Sequence, residues 1–243
     1  MIRSQRDLAE VQRPTRDLTQ MEKLLLRYED TREWVRNNQR LLSGVAVVLV
    51  AIIAGLWWWA GQVKQNNERA ATYTTRVMNY YLSGDYRHAI DGDQSRKVSG
   101  EPLYGLRYIV KEYGSSAAAT EAALALGNSY YYLGKYDSAG IAYNAAPTND
   151  DPVMTSSIEA GKAAILEHGS NKIEAAKLFE KAAGRDKTNP FNAEYLVDAA
   201  KDYQGAKQTD EAVRVWRKIL ADYPATQYDD QAKRELTRLN VEL

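Results

Sequence analysis

The sequence predicts an all-α protein, with an N-terminal transmembrane helix followed by a stack of about four helix hairpins and a capping helix. Three observations point there. Residues 41–61 are uncharged and almost wholly apolar. A small residue, a ring and an apolar residue recur at helical spacing every 36 or 37 positions between 139 and 219. The 243 residues, 44% hydrophobic, are enough for a core without disulfide staples, and cysteine is absent. No β-sheet is expected beyond residue 62.

Composition narrows function as well. Lys and Arg number 32 against 32 Asp and Glu, so the basic excess of a phosphate-backbone binder is missing and nucleic acid is not an expected partner. Two histidines and no cysteine leave zinc sites and thiolate chemistry without ligands. Seventeen Tyr and five Trp against two Phe favour rings with a polar tip, suited to half-buried positions.

Residues 1–40 read as a cytoplasmic N-terminal segment. Leu18, Met21, Leu25 and Tyr28 stand at helical spacing before Trp34 and Val35, which predicts a short helix leading into the anchor. Such a helix either docks a partner or sets topology. At about 1.5 Å per residue, the 21 residues of 41–61 reach about 31 Å, the thickness of a hydrocarbon core. Ten Leu, Val and Ile contribute about −3 to −6 kcal/mol of insertion free energy. The run starts too late and is too long for a signal-peptide core, and it closes on Trp57, Trp58 and Trp59, an interfacial belt. Five basic residues lie in the twenty positions before it and three in the twenty after, which places the N-terminus in the cytoplasm and residues 62–243 outside it. That exported part carries 23 basic and 25 acidic side chains, too balanced to steer partners by charge.

From 62 to 82 no Pro or Gly interrupts a helical pattern of Val63, Ala70, Tyr73, Val77, Tyr80 and Tyr81, so this helix can continue the membrane helix directly. Farther on, Ala139, Ala175 and Ala212 are followed four residues later by Tyr143, Phe179 and Trp216, and seven later by Ala146, Ala182 and Ile219. Twelve residues before each alanine stand Gly127, Ala163 and Ala200; nine before stand Tyr130, Leu166 and Tyr203. Small residues at helix crossings admit large ones from the next helix, the packing of stacked hairpins. In the first unit Ala89 is a tempting equivalent, but Asp93 falls where its ring belongs. A register using Leu106, Ile109 and Tyr113 matches Trp216, Ile219 and Tyr223 instead. This predicts an insertion over 84–101, between the two helices of unit one, with Pro102 in the first turn of the helix that follows. Ala232, Leu236 and Leu239 predict the capping helix.

Catalytic signatures are missing from the sequence. His88 and His168 are too few for metal or triad chemistry, and His168 before Gly169 reads as a helix end. Asp91 and Asp93 open a calcium-like loop, but Arg96 and Pro102 fall where Gly and a bidentate Glu are required. No nucleophile elbow, P-loop or dinucleotide fingerprint occurs. The expectation is a protein that is not an enzyme, with no cofactor, no metal and no small-molecule substrate.

The segment ALALGNSYYYLGKYDSAGIAYNAA, with Leu126, Gly127, Tyr130, Ala139, Tyr143 and Ala146, resembles a tetratricopeptide repeat, and the last unit keeps Tyr203, Ala212, Trp216, Ile219 and Pro224 in register. The middle unit departs, with Ala163 in place of Gly and Pro190 displaced. The resemblance implies a superhelical domain over 62–243 whose first helices line a concave protein-binding face. It directs Asn128, Tyr131 and Tyr132, with Lys201 and Gln204 of the last unit, toward that face. Family members that clamp a terminal carboxylate have Lys at the fifth position; here Leu124 and Val197 stand there, so that clamp is missing in spite of Asn128. The tyrosines have two uses open to them, lining a groove for extended segments or packing between units.

With REWVRNNQRLLSGVAVVLVAIIAG before the repeats, the whole arrangement looks like the bacterial ancillary Sec translocon subunits. The resemblance implies a single-pass inner-membrane protein with a periplasmic domain, Sec channel subunits as partners, and hand-over of exported chains to periplasmic chaperones. A fixed scaffold for another envelope complex, in cell-wall or outer-membrane assembly, is the alternative.

Overall fold

A computed structural model describes residues 20–147 and 151–241. Leu18 and the Leu25 side chain, part of the expected N-terminal helix face, lie outside the described residues. The described chain is mostly helical, with eleven helices and one two-stranded sheet, and it divides into two compact units, Met1–Ala60 and Gly61–Leu243.

In the first unit, α1 (Gln20–Asn37) precedes the start of α2 (Gln39–Leu82), with the Asn38 amide side chain donating to the Trp34 carbonyl. Met21, Tyr28 and Trp34 are exposed. Among the described residues α2 is the one helix long and apolar enough to cross a membrane: its best 18-residue window has a mean hydropathy of 2.4 and none of it is buried. Trp57, Trp58 and Trp59 are exposed too. An apolar surface all round a helix, with no protein against it, is what a lipid solvent accepts and water does not.

In the second unit, the remainder of α2 buries Ala70, Tyr73, Thr74 and Val77 on one stripe, while Val63 stays exposed rather than joining it. There follow α3 (Tyr86–Asp91), β1 (Gly92–Val98), β2 (Glu101–Tyr104), α4 (Leu106–Tyr113), α5 (Ala119–Tyr132), α6 (Tyr136–Asn144), α7 (Pro152–His168), α8 (Lys172–Ala183), α9 (Asn192–Gly205), α10 (Thr209–Asp222) and α11 (Gln227–Arg238).

One turn recurs along this unit. Gly84, Gly134, Ser170, Lys207 and Asn240 all have positive φ, between 57° and 79°. At each, the residue's own amide donates to the carbonyl three before it, and the next amide donates to Tyr80, Tyr130, Leu166, Tyr203 or Leu236, five before it. This closes the C-terminus of a first helix with a left-handed residue and reverses the chain. The alanine four residues after the next position, Ala89, Ala139, Ala175 or Ala212, is in every case fully buried in the second helix. Four helix pairs result, followed by α11, which ends on the fifth copy of the turn.

The turns correct the reading of unit one. Ala89 is the equivalent alanine after all, because its amide bonds to Asp85 as Ala139 bonds to Lys135. From Gly84 to Gly134 is 50 residues, whereas the next two intervals are 36 and 37, and the excess matches the 13 residues of the β1–β2 hairpin, 92–104. The insertion therefore lies inside the second helix, not between two helices over 84–101. The helix stops at Asp91 and resumes at Leu106, which takes the ring position sought at Asp93; Leu106 and Ile109 are fully buried. Pro102 sits in β2 rather than in a helical first turn, and the chain is not purely α. Gly92 and Gly105 mark exit and re-entry. A Cβ on Gly92 would strike the Leu103 carbonyl and Gly105 amide, and one on Gly105 the Ile90 carbonyl, so only glycine lets the backbones pass.

The hairpin packs back on α2. The Tyr104 ring meets Tyr73 edge-on at 5.0 Å, Glu101 accepts from the Tyr73 hydroxyl at 3.1 Å and pairs with Arg76 at 3.4 Å, and Asp93 accepts from Tyr80 at 3.2 Å. Burial, then the Glu101 carboxylate, pushes the Tyr73 hydroxyl up to about 12. Three core clusters run along the unit: α2 to α6, a centre on Ala139, Tyr143 and Ile158, and α7 to α11 around Phe179 and Trp216.

Candidate functional site

The first helices of successive pairs, α5, α7 and α9, together wall a groove of about 440 Å³. From α5 come Asn128, Tyr131 and Tyr132, from α7 Ser157 and Gly161, and from the start of α9 Phe191, Glu194 and Tyr195. Helix α7 starts firmly because Pro152 occupies its first turn and Asp151 accepts from the amides of Val153 and Met154. Its glycine leaves the floor open to Tyr143, since a Cβ on Gly161, as on Gly127, would collide with the Tyr143 ring.

Asn128 is committed to structure. It accepts from the Tyr143 hydroxyl at 2.6 Å and donates to Tyr81 at 3.0 Å, joining three helices beneath the groove. Desolvation, ahead of neighbouring tyrosines, drives the Tyr143 hydroxyl far above its usual range. Tyr132 is 62% exposed and stacks on Tyr86 at 4.9 Å, an open aromatic shelf. Tyr131 is half-buried, edge-on to both Tyr132 and Tyr136. Burial raises its hydroxyl first and the Glu167 carboxylate next, with Asp198 a smaller contributor.

Lys201 and Gln204 lie outside the groove lining. The exposed Lys201 ammonium is 3.5 Å from Asp198, and Gln204 donates to Glu235 of α11 at 3.1 Å. Repeat register equates Lys201 with Asn128, yet the groove crosses α9 one to three turns earlier, at 191–195. Phe191, Glu194, Tyr195 and Gly161 were missed for that reason: a register gives equivalent positions within pairs, whereas a groove also depends on how far each pair is staggered on the last. A signal was present in the rings Phe191 and Tyr195, spaced four apart.

The acids continue past the groove along α9. Glu194, Asp198 and Asp202 stand four residues apart, hence on one stripe. Desolvation raises Asp198 and pushes Asp202 up to about 7, with Glu167 adding to Asp202 and Lys172 opposing. Asp202 is 1% exposed and its Oδ2 has no partner.

The histidines and the calcium-like loop have local partners. His88 meets Asp85 at 2.7 Å and stacks on Tyr80, while His168, at the end of α7, stacks on Tyr136 at 3.7 Å. Asp91 pairs with Arg107 at 2.8 Å, and Asp93 accepts from the Ser95 hydroxyl and amide. Among the described residues no group of three or more His, Asp or Glu is placed to hold a metal ion. Compared with protein-family models, curated proteins and solved structures, the chain matches none of them.

Proposed function

We propose that the chain is a membrane-anchored tetratricopeptide-repeat protein whose groove holds segments of other polypeptides, as an ancillary subunit of the Sec translocon that helps pass exported proteins to periplasmic chaperones. The observation that carries this reading is the groove itself, walled by the first helices of three successive pairs and lined by Tyr131, Tyr132, Phe191 and Tyr195. Rings with polar tips hold varied extended segments through apolar contact and adaptable hydrogen bonds. The turn repeated at Gly134, Ser170 and Lys207 supports a solenoid built of tandem helix pairs. The apolar run of α2 supports anchoring, and the basic bias before it supports a cytoplasmic N-terminus with the repeats in the periplasm.

A repeat scaffold does not name its partner, so the translocon assignment rests on resemblance. Purification of the full chain from membranes in mild detergent tests it. Sec channel subunits in stoichiometric amounts are the expected result. Their absence, with another envelope complex in their place, overturns the translocon assignment in favour of the scaffold reading.

A further inference from the structure

We propose that the cavity between α8, α9 and the end of α10 binds a small organic monocarboxylate, one that carries a neutral hydrogen-bond donor on the neighbouring carbon and a short apolar side chain. The site is separate from the polypeptide groove and independent of that reading. The groove takes Phe191, Glu194 and Tyr195 from α9, whereas this cavity takes Asn192 and Leu196, and no residue lines both.

Two observations on the lining itself carry it. The first is Asn192, a fully buried residue in the wall of a cavity of about 420 Å³, which is room enough for a small ligand. Its Nδ2 donates to the Asp186 carbonyl. That bond fixes which way the carboxamide is turned, since the opposite orientation would set oxygen against oxygen. Tyr223, another wall residue, has its hydroxyl beside the same carboxamide, yet Asn192 Oδ1 keeps no partner. A buried acceptor without a donor is costly, and an N–H or O–H of a bound molecule relieves it.

The second observation is the balance of charge. Glu180, Lys187, Lys218 and Asp222 line the cavity. Glu180 already holds Arg214 at 2.6 Å, and Asp222 holds Lys218 at 2.5 Å. Lys187 is exposed and has no ion-pair partner among the described residues. The lining therefore has one positive charge to spare, and with both acids paired the donor that meets Asn192 is a neutral one. A single ammonium, with no guanidinium fork in the lining, suits a carboxylate better than a phosphate dianion. Buried Ala183 and Leu196, with Tyr223, supply the apolar wall. A free hydroxy acid or acylated amino acid has this chemistry, and so does the last residue of a polypeptide.

The test is isothermal titration calorimetry on the full chain in nanodiscs, with 2-hydroxy-4-methylpentanoate as the probe. The analogue 4-methylpentanoate lacks the donor and 2-hydroxy-4-methylpentanamide lacks the charge; each is expected to bind at least about tenfold more weakly. Lys187→Ala should remove the preference for acid over amide with the melting temperature unchanged. Asn192→Ala should remove the preference for the hydroxy acid over 4-methylpentanoate; where it fails to fold, the Lys187→Ala comparison decides. A peptide of about seven residues ending in a free leucine carboxylate separates the two sources. Tighter binding than the hydroxy acid assigns the site to chain ends, and weaker binding or none assigns it to free acids. No binding of either the hydroxy acid or the peptide, equal affinity for acid and amide, or acid binding unchanged by Lys187→Ala overturns the proposal.

Discussion

The Tyr143 hydroxyl donates to Asn128 Oδ1 at 2.6 Å from a ring that lies over Gly127 and Gly161. The bond ties the second helix of one pair to its first, and Asn128 passes it on to Tyr81 of the preceding pair. Asn128 thus fixes the depth of the groove floor. Asn128→Ala is expected to cost about 1–3 kcal/mol, because a buried hydroxyl loses its acceptor. In the double variant with Tyr143→Phe the costs should not add, since the orphaned hydroxyl is gone. Chemical denaturation of the four proteins measures the coupling; strict additivity would contradict the bond's role.

Glycine tells two opposite stories on neighbouring helices. Gly127→Ala should destabilise by about 2 kcal/mol or more, because the added methyl meets the fully packed Tyr143 ring and outweighs the helix propensity gained. Gly140→Ala should stabilise by about 0.5–1 kcal/mol, since its nearest neighbour is the Ile165 side chain at ordinary contact distance. Thermal unfolding monitored by circular dichroism separates the two, and shifts of the same sign would contradict the packing described.

The hairpin interrupts a helix without replacing it. Deleting 92–104 and joining Asp91 to Gly105 should leave a folded protein whose α3 and α4 form one helix of about the length of α10. Loss of Leu103 and of the Tyr73–Tyr104 contact should lower stability by about 1–3 kcal/mol. Cooperative unfolding with helical signal retained is the expected result in calorimetry and circular dichroism. An unfolded or aggregated deletion variant would show that the hairpin is part of the framework.

Asp202 makes stability depend on pH. Its carboxyl is raised to about 7, mainly by burial, from an ordinary value near 3.8. The folded state therefore holds a proton that the unfolded state releases. This contribution is fully present below about 4, is lost as pH rises through about 7, and is gone above it. Asp202→Asn should abolish the dependence and be more stable than the parent at pH 8, by on the order of 2–4 kcal/mol. Urea midpoints from pH 4 to 8 measure it, and parallel profiles for parent and variant would refute the assignment.

The tandem helices were legible because buried small and large residues recur at fixed spacing, and Ala139, Ala175 and Ala212 with Tyr143, Phe179 and Trp216 prove to be core. The β-hairpin was not. Its strands carry little apolar alternation, with Leu103 their one fully buried apolar residue, and it is held by α2 side chains such as Tyr73 and Tyr80 that are distant in sequence. Pro102, which reads as a helix start, is tolerated in a short two-stranded sheet. In the groove, Asn128, Tyr131 and Tyr132 followed from the repeat, whereas Lys201 and Gln204 did not reach it because stagger between pairs has no periodic signature.

On the proposed function, the groove beside Tyr131 holds other polypeptides. A photoreactive phenylalanine analogue placed at Tyr131 in the full chain and activated in living cells tests it most directly. Crosslinks to many exported polypeptides are expected, lost when the analogue is moved to the exposed Ile141 of α6. An equal yield from both positions, or no polypeptide crosslinked from Tyr131, would contradict it.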